Sequence, residues 1–235
     1  MSNDFPLAGA SWQSEIPGFS SAFVAIIDPA RSGLDQLVYG TYFGGTALDG
    51  VTAGYLGPDN RLWLTGYTTS QDLPVTPGAA QPVRAGALDS FLVIVDPSQA
   101  GIDFLRYSTY FGGGSVEVPY ALAVNPATGV ALLAGYSSSP NFPNRNSPVA
   151  TPSAVSSRES FFVAIDTTAT GPDAILYAAQ FGGKARDIIY SAALAADGTI
   201  ALAGSTSSDD LPTASPVGKL NPPGFDTGWY LVLKP

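Results

Sequence analysis

The chain has 235 residues, a net charge of −9 and an isoelectric point near 4.2, and charged side chains make up only 12% of it. This balance argues against nucleic acid as a partner, because that binding depends on Lys and Arg neutralising phosphates, and it equally disfavours an anionic membrane surface. With no Cys and no His, disulfides, zinc–thiolate sites and imidazole-based catalysis are excluded as well.

Abundant Gly (26) and Pro (20), with 45% apolar residues, fit many short strands joined by turns better than a disordered chain. No basic stretch leading into an apolar run follows Met1, so the sequence offers no secretion signal, and no apolar run reaches the length of a membrane span.

In chain order, the first element is the phrase Ser2-Asn3-Asp4-Phe5-Pro6, which returns as Ser70-Gln71-Asp72-Leu73-Pro74, Ser139-Pro140-Asn141-Phe142-Pro143 and Ser208-Asp209-Asp210-Leu211-Pro212. The acidic or amide positions are 68, 69 and 69 residues apart. A fixed period signals one supersecondary unit used repeatedly, each copy burying its apolar face against the next. The whole chain, 1–235, is therefore one repeat domain, with a partial repeat at 1–50, repeats at 51–118 and 119–188, and a partial repeat at 189–235.

A polar, Pro-rich loop follows each phrase, and then the most apolar segment, as Phe23-Val24-Ala25-Ile26-Ile27, Phe91-Leu92-Val93-Ile94-Val95, Phe161-Phe162-Val163-Ala164-Ile165 and Trp229-Tyr230-Leu231-Val232-Leu233. Unbroken apolar runs of this length predict a strand covered on both faces, with Ile26, Ile94, Ile165 and Val232 buried. The next strand, Leu37 to Phe43 and its kin around Tyr107 and Tyr177, alternates polar with apolar residues and is expected at the outer edge, open to water. It ends at Phe43-Gly44-Gly45, Phe111-Gly112-Gly113 and Phe181-Gly182-Gly183, read as a bulge or sharp turn. A segment of small residues comes next (Ala53-Gly54, Ala121-Leu122-Ala123, Ser191-Ala192-Ala193) and, across the turns at Asp59-Asn60, Thr128-Gly129 and Asp197-Gly198, pairs with a strand ending in Gly66, Gly135 or Gly204.

Four antiparallel strands per repeat predict an all-β chain, a β-propeller of four-stranded blades with about three and a quarter blades present. Several linked motifs strengthen this. Phe-Gly-Gly with an acid four places on, Ser-x-Asp-Phe-Pro, Phe-Val-Ala-Ile-x-Asp-Pro and Tyr-x-Thr-Tyr-Phe-Gly-Gly together resemble the SBBP-type β-propeller repeat of bacterial secreted and surface proteins. The resemblance spans essentially the whole chain and implies a propeller in an extracellular or cell-surface setting. It brings no shared catalytic residues. The chain departs from it in the long loop before the apolar strand, and in Gln180 and Lys234, which replace a Tyr and an Asp of the other copies.

Candidate ligand-binding residues are few. Asp49, Glu117 and Asp187 recur between repeats, where carboxylates can bind Ca²⁺ or a sugar, or can accept backbone N–H bonds and fix the crossing between blades. Asp4, Asp72, Asn141 and Asp210 read as closing local turns. Trp63 and Trp229 read as core, whereas Trp12 lies in a polar loop as a candidate exposed aromatic. No catalytic or metal-binding residue is assigned, and Ca²⁺ is the one cofactor considered. The expected function is a non-catalytic extracellular binding or scaffolding module with a carbohydrate or protein ligand, and with self-association to complete a ring. A carboxylate-dependent carbohydrate-active enzyme and a structural spacer of a larger surface protein are the alternatives.

Overall fold

The computed structural model describes residues 4–149, 158–212 and 225–234. Ser2 and Asn3 of the first phrase, and most of the loop before the last apolar strand, lie outside them. The described chain is all-β, with thirteen strands in four antiparallel sheets. The first sheet pairs β1 (Ala22–Ile27) with β2 (Leu37–Phe43). The second is a meander of β3 (Asp49–Leu56), β4 (Leu62–Thr68), β5 (Asp89–Val95) and β6 (Leu105–Phe111). A third of the same order follows, with β7 (Glu117–Asn125), β8 (Val130–Ser137), β9 (Glu159–Asp166) and β10 (Ile175–Phe181). The fourth contains β11 (Asp187–Leu194), β12 (Ile200–Thr206) and β13 (Thr227–Leu233). No helical period is visible in the sequence, yet three single-turn 3-10 helices, Gly33–Gln36, Gly101–Phe104 and Gly171–Ala174, carry the chain from the apolar strand to the next. None is long or apolar enough to cross a membrane.

The strand period of two sorts the apolar strand's side chains to opposite faces. Phe91, Val93 and Val95 of β5 pack toward the first sheet with Ala22, Val24 and Phe43, while Leu92 and Ile94 pack toward the third with Phe161, Val163 and Ile165. On β9, Phe162 and Ala164 turn the other way, toward Leu202, Ile189 and Leu231 of the fourth sheet. The strands β3, β7 and β11 stand next to one another, with β7 between the other two. The small residues of these strands permit that approach.

Two expectations about exposure are corrected. Ile94 and Ile165 are buried, but Ile26 is 37% and Val232 50% exposed. Val232 is exposed because β13 has a neighbouring sheet on one face only, so Tyr230 and Val232 face outward, as Phe23 and Ile27 do on β1. Ile26 shares the face of Ala22 and Val24 but sits at the end of β1, at its register shift and outside the packed cluster. The strand at the sheet's outer edge is not open to water either. From Tyr39, Tyr107 or Ala178 onward, β2, β6 and β10 are buried.

The long Pro-rich loop covers them. It bonds Gly40 N to Ala8 O and Tyr42 N to Gln13 O on β2, Ser108 O to Thr76 N and Tyr110 N to Gln81 O on β6, and Arg145 N to Ala178 O on β10. A loop laid along an edge strand satisfies backbone groups that would otherwise template aggregation.

Each hairpin turns as its sequence requires, with Asn60, Gly129 and Gly198 at positive φ. The glycine ending each inner-hairpin strand has a different cause. At Gly66, Gly135 and Gly204 the partner strand bulges, and its Gly50, Val118 or Ile188 carbonyl occupies the space a β-carbon would need.

Candidate functional site

Asp49, Glu117 and Asp187 open β3, β7 and β11 and are almost wholly buried, each at a separate junction between consecutive sheets. The backbone sets them there. Asp49 N donates to Ser20 O, Glu117 N to Leu88 O and Asp187 N to Arg158 O, tying the start of each new sheet to the one before.

Their carboxylates then close the same clasp three times. Asp49 Oδ2 accepts from Gly45 N at 2.8 Å and from Ser70 Oγ at 2.9 Å, and its Oδ1 accepts from Thr68 Oγ1 at 2.5 Å. Glu117 Oε2 accepts from Gly113 N at 2.9 Å and Oε1 from Ser137 Oγ at 2.7 Å. Asp187 Oδ2 accepts from Gly183 N at 2.8 Å and from Ser208 Oγ at 3.0 Å.

The Ser-x-Asp-Leu-Pro phrase supplies the other half of the clasp, and here the reading as a local turn is corrected. Asp72 Oδ1 accepts from Thr46 N at 2.9 Å, Asn141 Oδ1 from Gly114 N at 2.7 Å and Asp210 Oδ1 from Lys184 N at 2.9 Å. These bonds reach back more than twenty residues, into the loop that joins two sheets. The serine of each later phrase binds the following amide, with Ser70 Oγ accepting from Ala47 N, Ser139 Oγ from Ser115 N and Ser208 Oγ from Ala185 N. The tyrosine of the outer strand holds the phrase from its other side, since Tyr110 Oη accepts from Leu73 N at 2.9 Å and donates to Ser70 O at 3.0 Å. Gln180 stands in for that tyrosine in the third sheet and sends its amide to Ser137 Oγ at 3.2 Å.

The first glycine of each pair owes its place to the carboxylates. A β-carbon on Gly112 would stand 2.5 Å from Glu117 Oε2 and 2.8 Å from Asp89 Cγ, and one on Gly182 would collide with Glu159 and Asp187. Gly45, Gly113 and Gly183 instead make room for Ser70, Ser139 and Ser208 of the phrase, and none of the paired glycines takes a positive φ, so close neighbours and not turn geometry are the constraint.

Asp89 and Glu159 were not singled out from the sequence. They begin β5 and β9 where the first and last sheets have Ser21 and Thr227, so no acidic repeat marks them. Asp89 accepts from Ala85 N and Gly86 N, both at 2.8 Å, and from Gln81 Nε2 at 2.9 Å.

Burial raises Asp89, Glu117 and Asp187 above the usual carboxylate range, and for Glu117 the nearby Asp89 charge adds to the rise. Asp72 and Asp210, on the outer side of the clasp, are instead held below it, chiefly by the backbone N–H of Thr46 and of Lys184. Among the described residues, no three acidic side chains come together as metal ligands would. Trp12, expected as an exposed aromatic, is half-buried and stacked on Phe104 and Phe43, with ring centroids 5.4 and 5.9 Å away. Trp63 is buried, and Trp229 packs edge-on against Phe181. The chain matches no protein-family model and none of the curated proteins.

Proposed function

We propose that the chain is a non-catalytic β-propeller module of the SBBP type, serving outside the cell to bind or scaffold other molecules. The observation that carries this is the threefold clasp. Asp49, Glu117 and Asp187, the acids that recur at the sheet junctions, are each committed to backbone amides and hydroxyls that lock one sheet to the next. The stack of sheets, each laid on the next through one apolar face, supports the propeller, and the extracellular setting rests on the resemblance of the motifs.

The carbohydrate-active enzyme is the weaker reading. Glycoside hydrolysis needs two carboxyl groups flanking a substrate bond. The pair Asp89 and Glu117 has no exposed surface and encloses a glycine instead.

The test is reducing-end release from xylan, glucomannan and alginate by the purified chain. It should stay at the background of a buffer control. Saturable turnover lost on Glu117→Gln or Asp187→Asn would contradict the proposal.

A further inference from the structure

Comparison among the repeats separates residues the fold requires from residues it does not. Each inner strand carries one extra residue at its bulge, and these are Thr52, Tyr120 and Tyr190. At Thr52 the side chain folds back, and its hydroxyl donates to Thr65 O on the neighbouring strand. The same bulge forms around Tyr120 and Tyr190 with the rings turned outward, 37% and 52% exposed. A tyrosine is therefore not what the bulge needs. Large aromatic rings left part-exposed where the fold does not require them call for another explanation.

These two rings sit at the centre of a larger group drawn from three sheets. Tyr120 and Tyr190 have centroids 5.6 Å apart with their planes tilted by 31°. Tyr136, on β8, lies 6.0 Å from Tyr120 at a tilt of 41°. The Arg158 guanidinium sits 4.9 Å over the Tyr136 ring. Tyr67 lies on β4, which packs against β7, and its ring covers Gly50. Four residues before Tyr190, Arg186 is paired with Asp226, whose other oxygen accepts from Ser207 Oγ at 2.6 Å.

The rings are tilted and not stacked flat on one another, and both Tyr120 and Tyr190 keep surface exposed to solvent. Their backbone is fixed by the bulge pairing, which limits the ordering a ligand must impose. Around them lie planar polar groups, a guanidinium and a carboxylate, that can both donate and accept hydrogen bonds. Aromatic faces ringed by such groups match the chemistry of a sugar, which shows C–H faces on one axis and hydroxyls at its rim. The charge of −9 on the chain opposes a polyanion, so the favoured sugar is uncharged.

We infer that Tyr120 and Tyr190, supported by Tyr136 and Tyr67, form a binding platform for a neutral carbohydrate chain, with Arg158, Arg186 and Asp226 at its margin. This rests on the reading of the chain as a binding module and gives that module its ligand class.

Affinity electrophoresis in native gels containing hydroxyethylcellulose, xylan, glucomannan or, as the acidic arm, alginate tests it. The whole chain should be retarded in at least one neutral gel. Tyr120→Ala and Tyr190→Ala should each weaken the retardation about tenfold, as loss of an aromatic anchor does at other binding sites. Tyr120→Phe, which keeps the ring, should retain most of it and guards against a folding defect in the alanine variants, whose circular dichroism is recorded alongside. No retardation in any neutral gel, retardation in alginate alone, or retardation unchanged in both alanine variants would overturn the assignment. So would binding of a proline-rich peptide in place of the glycans. These outcomes leave the non-catalytic reading intact, because that is judged by turnover, and turnover would overturn it whatever the gels show.

Discussion

Asp89 and Glu117 both close on the space a Gly112 β-carbon would need, and neither has any exposed surface. Two buried acids this near one another cannot both ionise cheaply, and burial already raises each above the ordinary carboxylate range.

This has a consequence for stability. Asp89, Glu117 and Asp187 hold protons in the fold at pH values where the unfolded chain has released them. The folded state then binds more protons, so stability falls as pH rises from the ordinary carboxylate range, about 4, through their raised values, and levels off above them. Asp72 and Asp210 act in the opposite sense, because their lowered values give stability that is lost as pH falls through the folded pKa. Urea midpoints measured from about pH 3 to about pH 8 should therefore peak on the mildly acid side of neutrality. Glu117→Gln should flatten the decline toward neutral pH. A midpoint that climbs steadily to the alkaline end would show that these acids are not buried as described.

Gly112→Ala places a methyl group against both carboxylates. Overpacking of this kind costs about 1–3 kcal/mol, and chemical denaturation should register that loss. An unchanged midpoint would mean that the junction is looser than the structure has it.

The apolar strands should respond unequally to the same change. Ile165→Ala removes a buried side chain shared by the second and third sheets and should cost about 2–5 kcal/mol. Val232→Ala, at dilute protein concentration, should stay within about 0.5 kcal/mol of the parent, as a surface change does. Equal losses would contradict the one-sided packing of β13.

The outward faces bear on association as well. Phe23 and Ile27 on the first sheet, and Tyr230 and Val232 on the last, occupy the positions through which the inner sheets stack on one another. Head-to-tail contact between copies would cover both faces. Light scattering at rising concentration should show a mass above the 24.1 kDa of one chain, and Phe23→Asp should return it to that value. A single-chain mass at every concentration would refute self-association.

Much of the fold was legible because the clasp uses the same residues each time, and the repeat spacing of Phe43-Gly44-Gly45, Asp49 and Ser70 with their copies exposes that directly. The turn at Asp197-Gly198 was equally readable, being decided by adjacent residues. Coverage was not. Whether Val232 meets another sheet depends on a neighbour distant in sequence, and β2, β6 and β10 are buried by a loop whose composition looks solvent-exposed. Asp89 and Glu159 were hidden because their position also accepts Ser21 and Thr227. Tyr120 and Tyr190 could be read as departures from Thr52, but only the bulge shows that they point outward.

The central claim is that the recurrent acids serve to hold sheet to sheet, and a double-mutant cycle tests it most directly. Asp49→Asn, Ser70→Ala and the double variant, with the matching set Asp187→Asn and Ser208→Ala, are compared by urea denaturation. The hydrogen bonds of 2.9 and 3.0 Å predict a coupling of at least about 0.5 kcal/mol, of the same sign in both sheets. Additive losses at either junction, within about 0.3 kcal/mol, would contradict the clasp and return the carboxylates to the list of candidates for chemistry.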